Sequence, residues 1–412
     1  MSLEDWLTQT YGAEKFLPGL ERVRAFLAPE LAAFRKLAPR VVTVAGTNGK
    51  GETALTLHAW ASAAGRAPVT WTSPHLHHLT ERFRGPAGQI EESELRSLLE
   101  EAHADRQRAG VGLSYYEILW VAFLRWGLRQ RAPLWILEVG MGGRLDAVNL
   151  LDAELVALAS IARDHQEYLG PTYRAILREK LGVWRPGAKL VSTLESAYLR
   201  DRVRESAVGP WEDLFETGVL KCQDDFSARN QALAGRVWEL LGGAGRPARP
   251  DLAGRGDIWA LGPHRFVFYG SHNPDGLRKL VQFLGGGSYN PPEEKFHQIW
   301  AAFSRRPSPD LRVMARLLAQ TAARTDGVLK LTQFDHPKAI ALGEWWVEGE
   351  EGSSTTIIHE WTDLLRNIPP PPQRILVTGS YYFVALVQQA LAALGGERFA
   401  VDGGPRPRLW TR

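Results

Sequence analysis

The chain has 412 residues, 44% hydrophobic and 23% charged, ordinary values for a soluble globular protein and too long for one typical core, so two domains are expected. A net charge of +3 gives no argument of its own for a nucleic-acid partner. The single cysteine, Cys222, excludes an intramolecular disulfide and fits a reducing compartment.

The N-terminal stretch MSLEDWLTQTYGAEKF is polar and acidic and lacks the apolar core of a signal peptide. RVVTVA (40–45) is a β-branched run that predicts a strand. The Gly-rich loop Gly46-Thr47-Asn48-Gly49-Lys50-Gly51 follows it. ETALTLHAWASAAG then has helical periodicity with a stop at Gly65, and APVTWT predicts the next strand. Strand, loop, helix, strand is the opening of a parallel α/β domain. The apolar run YYEILWVAFLRWGL is interrupted by Glu117 and Arg125 and is too short and too charged to span a bilayer. LWILEV (134–139) and LVALASIA (155–162) predict buried strands. Ligands bind at the carboxyl ends of such strands, so Gly46, Thr72, Glu138 and Asp164 mark natural site positions.

The composition shifts to Gly, Pro and Arg at 242–256, which reads as an interdomain linker. Beyond it HRFVFYG, GVLKLTQF and RILVTG predict strands, and DLRVMARLLAQTAA and FVALVQQALAAL predict helices. Pro291-Pro292 and Pro369 to Pro372 mark loops. This is a second, smaller α/β domain of about 150 residues. The fifteen tryptophans are assigned to core packing.

The loop carries the first chemical signal. A G-x-x-G-K turn between strand and helix gathers backbone N–H groups around an anion, and Lys50 adds a mobile charge. The spacing is not that of the Walker motif, and the loop alone also fits a strand-to-helix turn with a solvated lysine. His75, His77 and His78 do not make a zinc site, because no cysteine or carboxylate framework accompanies them.

The motifs TVAGTNGKG, TSPHL, ERFR, LEVGMGGRLDAVN, DHQEYLG, REKLGVWRPG and SHNPD occur in an order and spacing that resembles the folylpolyglutamate synthase and dihydrofolate synthase family of the Mur ligase superfamily. The resemblance covers nearly the whole chain and is densest from 40 to 190. It implies a Mur-ligase-like P-loop ATPase domain with a parallel-rich sheet, followed by a smaller Rossmann-like α/β domain. The expected boundaries are 1–250 for the ATP-binding domain, 251–262 for the linker and 263–412 for the C-terminal glutamate-ligase domain.

The activity implied is an ATP-dependent amide ligase that adds L-glutamate to dihydropteroate, to reduced folates or to both. ATP phosphorylates a carboxylate, the amine of glutamate attacks the acyl phosphate, and phosphate leaves. The cofactors are ATP and Mg²⁺. By the same resemblance the metal ligands are Ser73, Glu138 and His165, a donor set with the hard oxygens that Mg²⁺ prefers. Lys50 and His165 count among the catalytic residues with Lys180, which matches a lysine carbamylated in the family; a solvated helix lysine is the alternative. The nucleotide contacts are Gly46, Thr47, Asn48, Gly49, Lys50, Gly51, Glu52, Thr53, Asn230, Arg255 and Tyr269. The acceptor side takes Ser114, Tyr115, Tyr116 and Glu117 with Leu145, Asp146 and Ala147. Rings that stack on a flat heterocycle and a carboxylate for its amino groups suit a pterin, and helix packing is the alternative for the two tyrosines.

Two positions depart from the family. Glu52 stands where it has serine or threonine, and Tyr269 where it has aspartate; the C-terminal region reads SRRPSPD in place of an Asp-Lys-Asp run. A carboxylate about 4 Å from phosphate would repel it by roughly 1 to 4 kcal/mol. Glu52 could therefore weaken ATP binding, serve as an extra metal ligand, or point away. Two further readings follow: a catalytically weakened relative that binds folate or pterin, and a superfamily ligase for another acid. The expected partners are small molecules only, with no nucleic acid and no membrane, and the protein is expected to be cytoplasmic and monomeric.

Overall fold

The computed structural model describes residues 2–12, 17–222, 225–245, 250, 252–284, 295–346 and 355–399. The chain divides into two compact units, 1–247 and 248–412.

The first unit is built on eight strands: β1 (Arg40–Ala45), β2 (Pro68–Trp71), β3 (Phe83–Gly85), β4 (Gly88–Gln89), β5 (Leu134–Glu138), β6 (Leu155–Leu158), β7 (Lys189–Ser192) and β8 (Trp211–Asp213). Their order is β4-β3-β2-β5-β1-β6-β7-β8. From β2 to β8 every pairing is parallel, and only the β2–β3–β4 edge is antiparallel. β1 lies between β5 and β6, so the chain leaves it towards both halves of the sheet. That is the switch point where such folds open a crevice. Alternation along each strand divides the core into two layers. Val41, Ala45, Trp135 and Leu137 face one layer; Val42, Val44, Leu134 and Ile136 face the other.

The first layer explains much of the tryptophan count. Trp71, Trp120 and Trp135 are fully buried and pack with Phe83, Phe123 and Trp126 through mostly edge-on contacts. The helix Tyr115–Gln130 runs through this layer and buries most of its length, which is why its sequence is so apolar. Among the described residues no helix is long and apolar enough to cross a membrane.

Most predicted elements of this unit form. The phosphate-loop helix runs Lys50–Ala63 and is closed by Gly65 at φ 70°. β6 is shorter than the predicted run 155–162, and the reason is local. Thr47 N–H donates to Ser160 O and Asn48 N–H to Ser160 Oγ, while Thr47 Oγ1 and the backbone of Ala162 bond both ways. The phosphate loop takes the polar groups that would have continued the ladder.

The second unit has seven strands: β9 (Arg255–Leu261), β10 (His264–Tyr269), β11 (Gln298–Ala302), β12 (Val328–Thr332), β13 (Thr355–Ile358), β14 (Arg374–Gly379) and β15 (Glu397–Phe399). Their order is β13-β12-β11-β14-β10-β9-β15, parallel as far as β10 and antiparallel at the β9 and β15 edge. The helices Pro274–Leu284, Ser308–Arg324 and Tyr381–Ala393 follow β10, β11 and β14.

The linker expected at 251–262 is corrected here. Residues Arg255–Leu261 form β9, paired to β10 and β15, with Ile258 buried. The Gly- and Arg-rich composition ends at Gly256, and the apolar DIWAL after it belongs to the sheet. The units divide after Pro247, within the compositional shift. Pro291-Pro292 lies outside the described residues.

Candidate functional site

Register brings the first unit's site together. Val44 pairs with Glu138, Ala45 with Leu158, and Trp71 with Leu137. The residues just past these strand ends, Gly46, Ser73 and Ser160, therefore share one edge of the sheet, with Glu138 at the end of its own strand. This is the edge predicted from strand ends alone.

The loop has the form an anion cradle needs. Gly46 (φ 143°) and Gly49 (φ 93°) adopt conformations that favour glycine, and a Cβ at Gly46 would lie 2.9 Å from that of Ala159. Gly49 caps the phosphate-loop helix with no side-chain hydrogen bond, so the helix start is not closed by a side-chain cap. Lys50 Nζ donates to Thr47 O at 3.1 Å, folding back over the loop. Gly51 is buried in the first turn. The Thr53 hydroxyl donates to Gly49 O at 3.0 Å and serves the backbone.

Lys180 enters from the helix Tyr173–Leu181. It is 4% exposed and its Nζ donates to Gly46 O at 2.7 Å. Burial, and secondarily Lys50, push its pKa down to about 7, against the pull of Asp164 and Asp146. This is not the solvated helix lysine of the alternative reading.

Ser73 N–H donates to Glu138 Oε2 at 3.0 Å, so two of the three expected metal ligands are adjacent. Glu138 is buried. His165 caps the short helix Gln166–Leu169 at φ 50°; its side chain is about half exposed and 3.9 Å from Glu167. Among the described residues no group of three or more His, Cys, Asp or Glu side chains could hold a metal by itself. A hydroxyl, a carboxylate and an imidazole would need oxygen from a bound phosphate to complete a shell, which suits Mg²⁺ and not a closed structural zinc site. His75 accepts from Arg82 Nε at 3.1 Å and lies 3.4 Å from Glu4, while Glu81 accepts from the backbone of Leu76, His77 and His78. The histidine triplet thus sits in a loop organised by Glu81.

Glu52 answers the question its sequence position poses. It is 2% exposed, and its carboxylate is directed at the helix Phe226–Leu240: Oε1 accepts from Ser227 Oγ and Oε2 from Asn230 Nδ2, both at 2.8 Å. Both carboxylate oxygens thus take part in a helix-to-helix pair. Asn230 in turn lies against the loop, since a Cβ at Gly49 would fall 2.2 Å from Asn230 Oδ1.

The residues expected on the acceptor side have these partners within the chain. Ser114 and Glu117 form a capping box, and Glu117 takes Arg22 in a two-pronged ion pair at 2.6 and 2.8 Å. Its carboxylate therefore holds structure. Tyr115 is buried in the core, and Ala147 is buried at the start of a 3-10 turn beside half-buried Leu145. Tyr116 and Asp146 do come together. Tyr116 OH donates to Asp146 Oδ1 and accepts from Trp71 Nε1, each at 3.1 Å. Asp146 also accepts from the backbone of Gly140, Met141 and Val148, and burial raises its pKa to about 6. It shapes the loop 140–148 from within.

In the second unit, Arg255 and Tyr269 are partners in the β9–β10 ladder, beside a bulge. The Arg255 guanidinium lies 5.5 Å over the Tyr381 ring. Tyr269 is buried, packs edge-on to Phe283, and its carbonyl accepts from Thr378 Oγ1 at 2.7 Å. The carboxyl edge of this sheet also gathers residues that the sequence reading left without a role. Ser304 and Ser380 hydroxyls are 2.8 Å apart, Lys338 Nζ donates to Tyr382 OH at 3.0 Å, and the His336 ring stacks on Tyr382 at 4.0 Å. His272 packs 5.3 Å from Tyr381. SHNPD and TGSYY follow β10 and β14, so the strand-end rule could have found part of this set.

No family model matches the chain. Over 168 residues it is 43% identical to the dihydrofolate synthase/folylpolyglutamate synthase of Escherichia coli strain K12, a match spanning 40% of this chain and 39% of that protein. It is 24% identical to the Bacillus subtilis strain 168 protein of the same name, across 94% of this chain and 99% of that one. The solved structure of a bifunctional folylpolyglutamate synthase/dihydrofolate synthase from Yersinia pestis, complexed with AMPPNP and Mn ion, superposes with a TM-score of 0.75 at 26% identity, covering 95% of this chain and 98% of that chain. The fold and the phosphate loop define a two-unit α/β protein of the Mur-ligase-like class. Within that class, the chain is similar to proteins named folylpolyglutamate synthase and dihydrofolate synthase, in a local match at 43% identity and along nearly its whole length at 24 to 26%.

Proposed function

We propose that this protein is an ATP-dependent ligase that adds L-glutamate to dihydropteroate, to reduced folates or to both. The observation that carries the reading is the shared sheet edge, where the Gly46–Gly51 loop, Lys50, buried Lys180 and the Ser73–Glu138 pair converge. The names of its relatives support the same reading.

The loop N–H groups and Lys50 bind the phosphates of ATP. Ser73, Glu138 and His165 would hold Mg²⁺, which when bound neutralises phosphate charge during transfer. The γ-phosphoryl passes to the acceptor carboxylate and ADP is formed. The glutamate amine then forms the amide bond, losing its proton as phosphate leaves. The cationic Lys338, with Ser304 and Ser380, offers carboxylate-binding chemistry for an amino acid at the second unit's sheet edge. The loop around Asp146 and Tyr116 shapes the acceptor side.

The weakened-relative reading loses its main ground, because the Glu52 carboxylate is bonded to Ser227 and Asn230. The protein is read as a cytoplasmic monomer that acts on small molecules.

The test is a product assay. The purified protein is incubated with Mg²⁺-ATP, L-glutamate and either dihydropteroate or tetrahydrofolate, and product masses are read. A gain of one glutamate on either acceptor is expected and names the activity. No gain on either, with the protein folded, would overturn the proposal.

A further inference from the structure

We infer that Glu52 is a positioning residue for the nucleotide: its carboxylate ties Ser227 and Asn230 of the helix Phe226–Leu240 to the phosphate-loop helix and fixes which way the Asn230 amide faces. The inference rests on the ligase reading above and deepens its nucleotide site.

Three observations lead to it. Glu52 and Asn230 are both buried, at 2% and 7% exposed. A wrong partner there leaves polar groups unmet away from water, so the arrangement is strongly specified. Next, the two carboxylate oxygens divide between two donors three residues apart on one helix face, Ser227 Oγ and Asn230 Nδ2. Because Nδ2 is committed to Glu52, Oδ1 must lie on the other side of the amide. There it meets Gly49, where even a Cβ would come to 2.2 Å. Glu52 therefore sets, through Asn230, the wall against which the last glycine before Lys50 is held.

A serine at position 52 could not do this. Its hydroxyl lies too close to its own backbone to reach both donors, and it would leave the Asn230 amide free to turn over. The departure from the family at Glu52 is then an adaptation, and the family residue placed here should harm nucleotide binding. Competition between Glu52 and phosphate would give the opposite sign.

The experiment is titration calorimetry with Mg²⁺-ADP on the full chain, with thermal unfolding as a check on folding. Glu52→Ser is expected to weaken Mg²⁺-ADP at least fivefold. In an Asn230→Ala background the same change is expected to cost less than twofold, because Glu52 acts through Asn230. Tighter or unchanged binding by Glu52→Ser overturns the inference, and so does a full additional loss in the Asn230→Ala background. Should Glu52→Ser not fold, Ser227→Ala deletes one of the two hydrogen bonds and keeps the carboxylate; a twofold or greater loss is expected, and no loss overturns the inference. Failure of the unmodified protein to bind Mg²⁺-ADP would overturn the ligase reading and this inference together, an outcome distinct from all the others.

Discussion

Lys180 Nζ donates a hydrogen bond to the Gly46 carbonyl oxygen across 2.7 Å, from a helix 134 residues further along the chain to the first residue of the phosphate loop. The pair fixes a buried amine beside the place where phosphate charge would gather. Burial pushes that amine down to about 7, far below the ordinary value for a lysine. The shift favours the uncharged amine, and only the uncharged amine attacks carbon dioxide.

The family resemblance implies a carbamate on Lys180, and the lowered pKa makes its occupancy depend on pH. The folded pKa is lowered, so the neutral form gains as pH rises through about 7 and is lost as pH falls below it. Incorporation of isotopically labelled bicarbonate at Lys180, trapped before mass analysis, should be several-fold higher at pH 8 than at pH 6. Equal incorporation at both values, or none, would refute the carbamate. The same shift works on stability: between about 7 and 10.5 the unfolded chain holds a proton that the folded chain does not, so this group makes folding more favourable as pH rises through that window.

Glu138→Ala should abolish turnover and spare the fold. The carboxylate is buried at the end of β5 and accepts from Ser73 N–H. Its loss removes the one charged ligand of the expected metal set. Turnover should fall by about a hundredfold or more, on the scale of a lost electrostatic contact to transferring charge. Circular dichroism would check the fold, and a variant within a few-fold of the parent rate would sink the metal assignment.

How far the sequence could be read follows from which interactions are local. β1, its loop and the next helix were legible because β-branched residues, glycines and helical periodicity are local signals. The partner of Glu52 was not, because Ser227 and Asn230 lie 175 and 178 residues away and nothing near Glu52 reports them. Glu117 is similar: its capping role with Ser114 is local, but its ion-pair partner Arg22 lies 95 residues earlier and could not be read from its neighbours. β9 was lost to composition, since Gly- and Arg-rich sequence masked the apolar run that completes the sheet. The strand ends marked one shared sheet edge but could not say which of their side chains turn inward.

Tyr116→Phe tests whether the Tyr116–Asp146 pair shapes the acceptor side. The phenol bridges Trp71 Nε1 and Asp146 Oδ1, and its removal leaves both buried groups without that partner. The cost to stability should be about 1 to 3 kcal/mol. Because Asp146 holds the backbone of Gly140, Met141 and Val148, the acceptor KM should rise several-fold while Mg²⁺-ADP affinity holds. A loss of nucleotide affinity with an unchanged acceptor KM would assign the loop to the other substrate.

Gly127→Ala sets two effects against each other in the aromatic layer. In the interior of the helix Tyr115–Gln130, alanine is favoured over glycine by roughly 0.5 to 1 kcal/mol. The added Cβ, however, would lie 2.4 Å from Trp135 Cη2. That ring is fully buried, edge-on to Phe34 and Phe123, with its Nε1 donating to Ala132 O at 3.1 Å. It cannot swing aside without breaking that bond or displacing both neighbours. Overpacking of this kind costs about 1 to 3 kcal/mol, which exceeds the helix gain. Urea unfolding should show a net loss of about 1 to 2 kcal/mol, and kcat should be unaffected, because the contact is in the core and away from the sheet edge that carries the site. A variant as stable as the parent would mean that the aromatic layer is loose enough to absorb a methyl group.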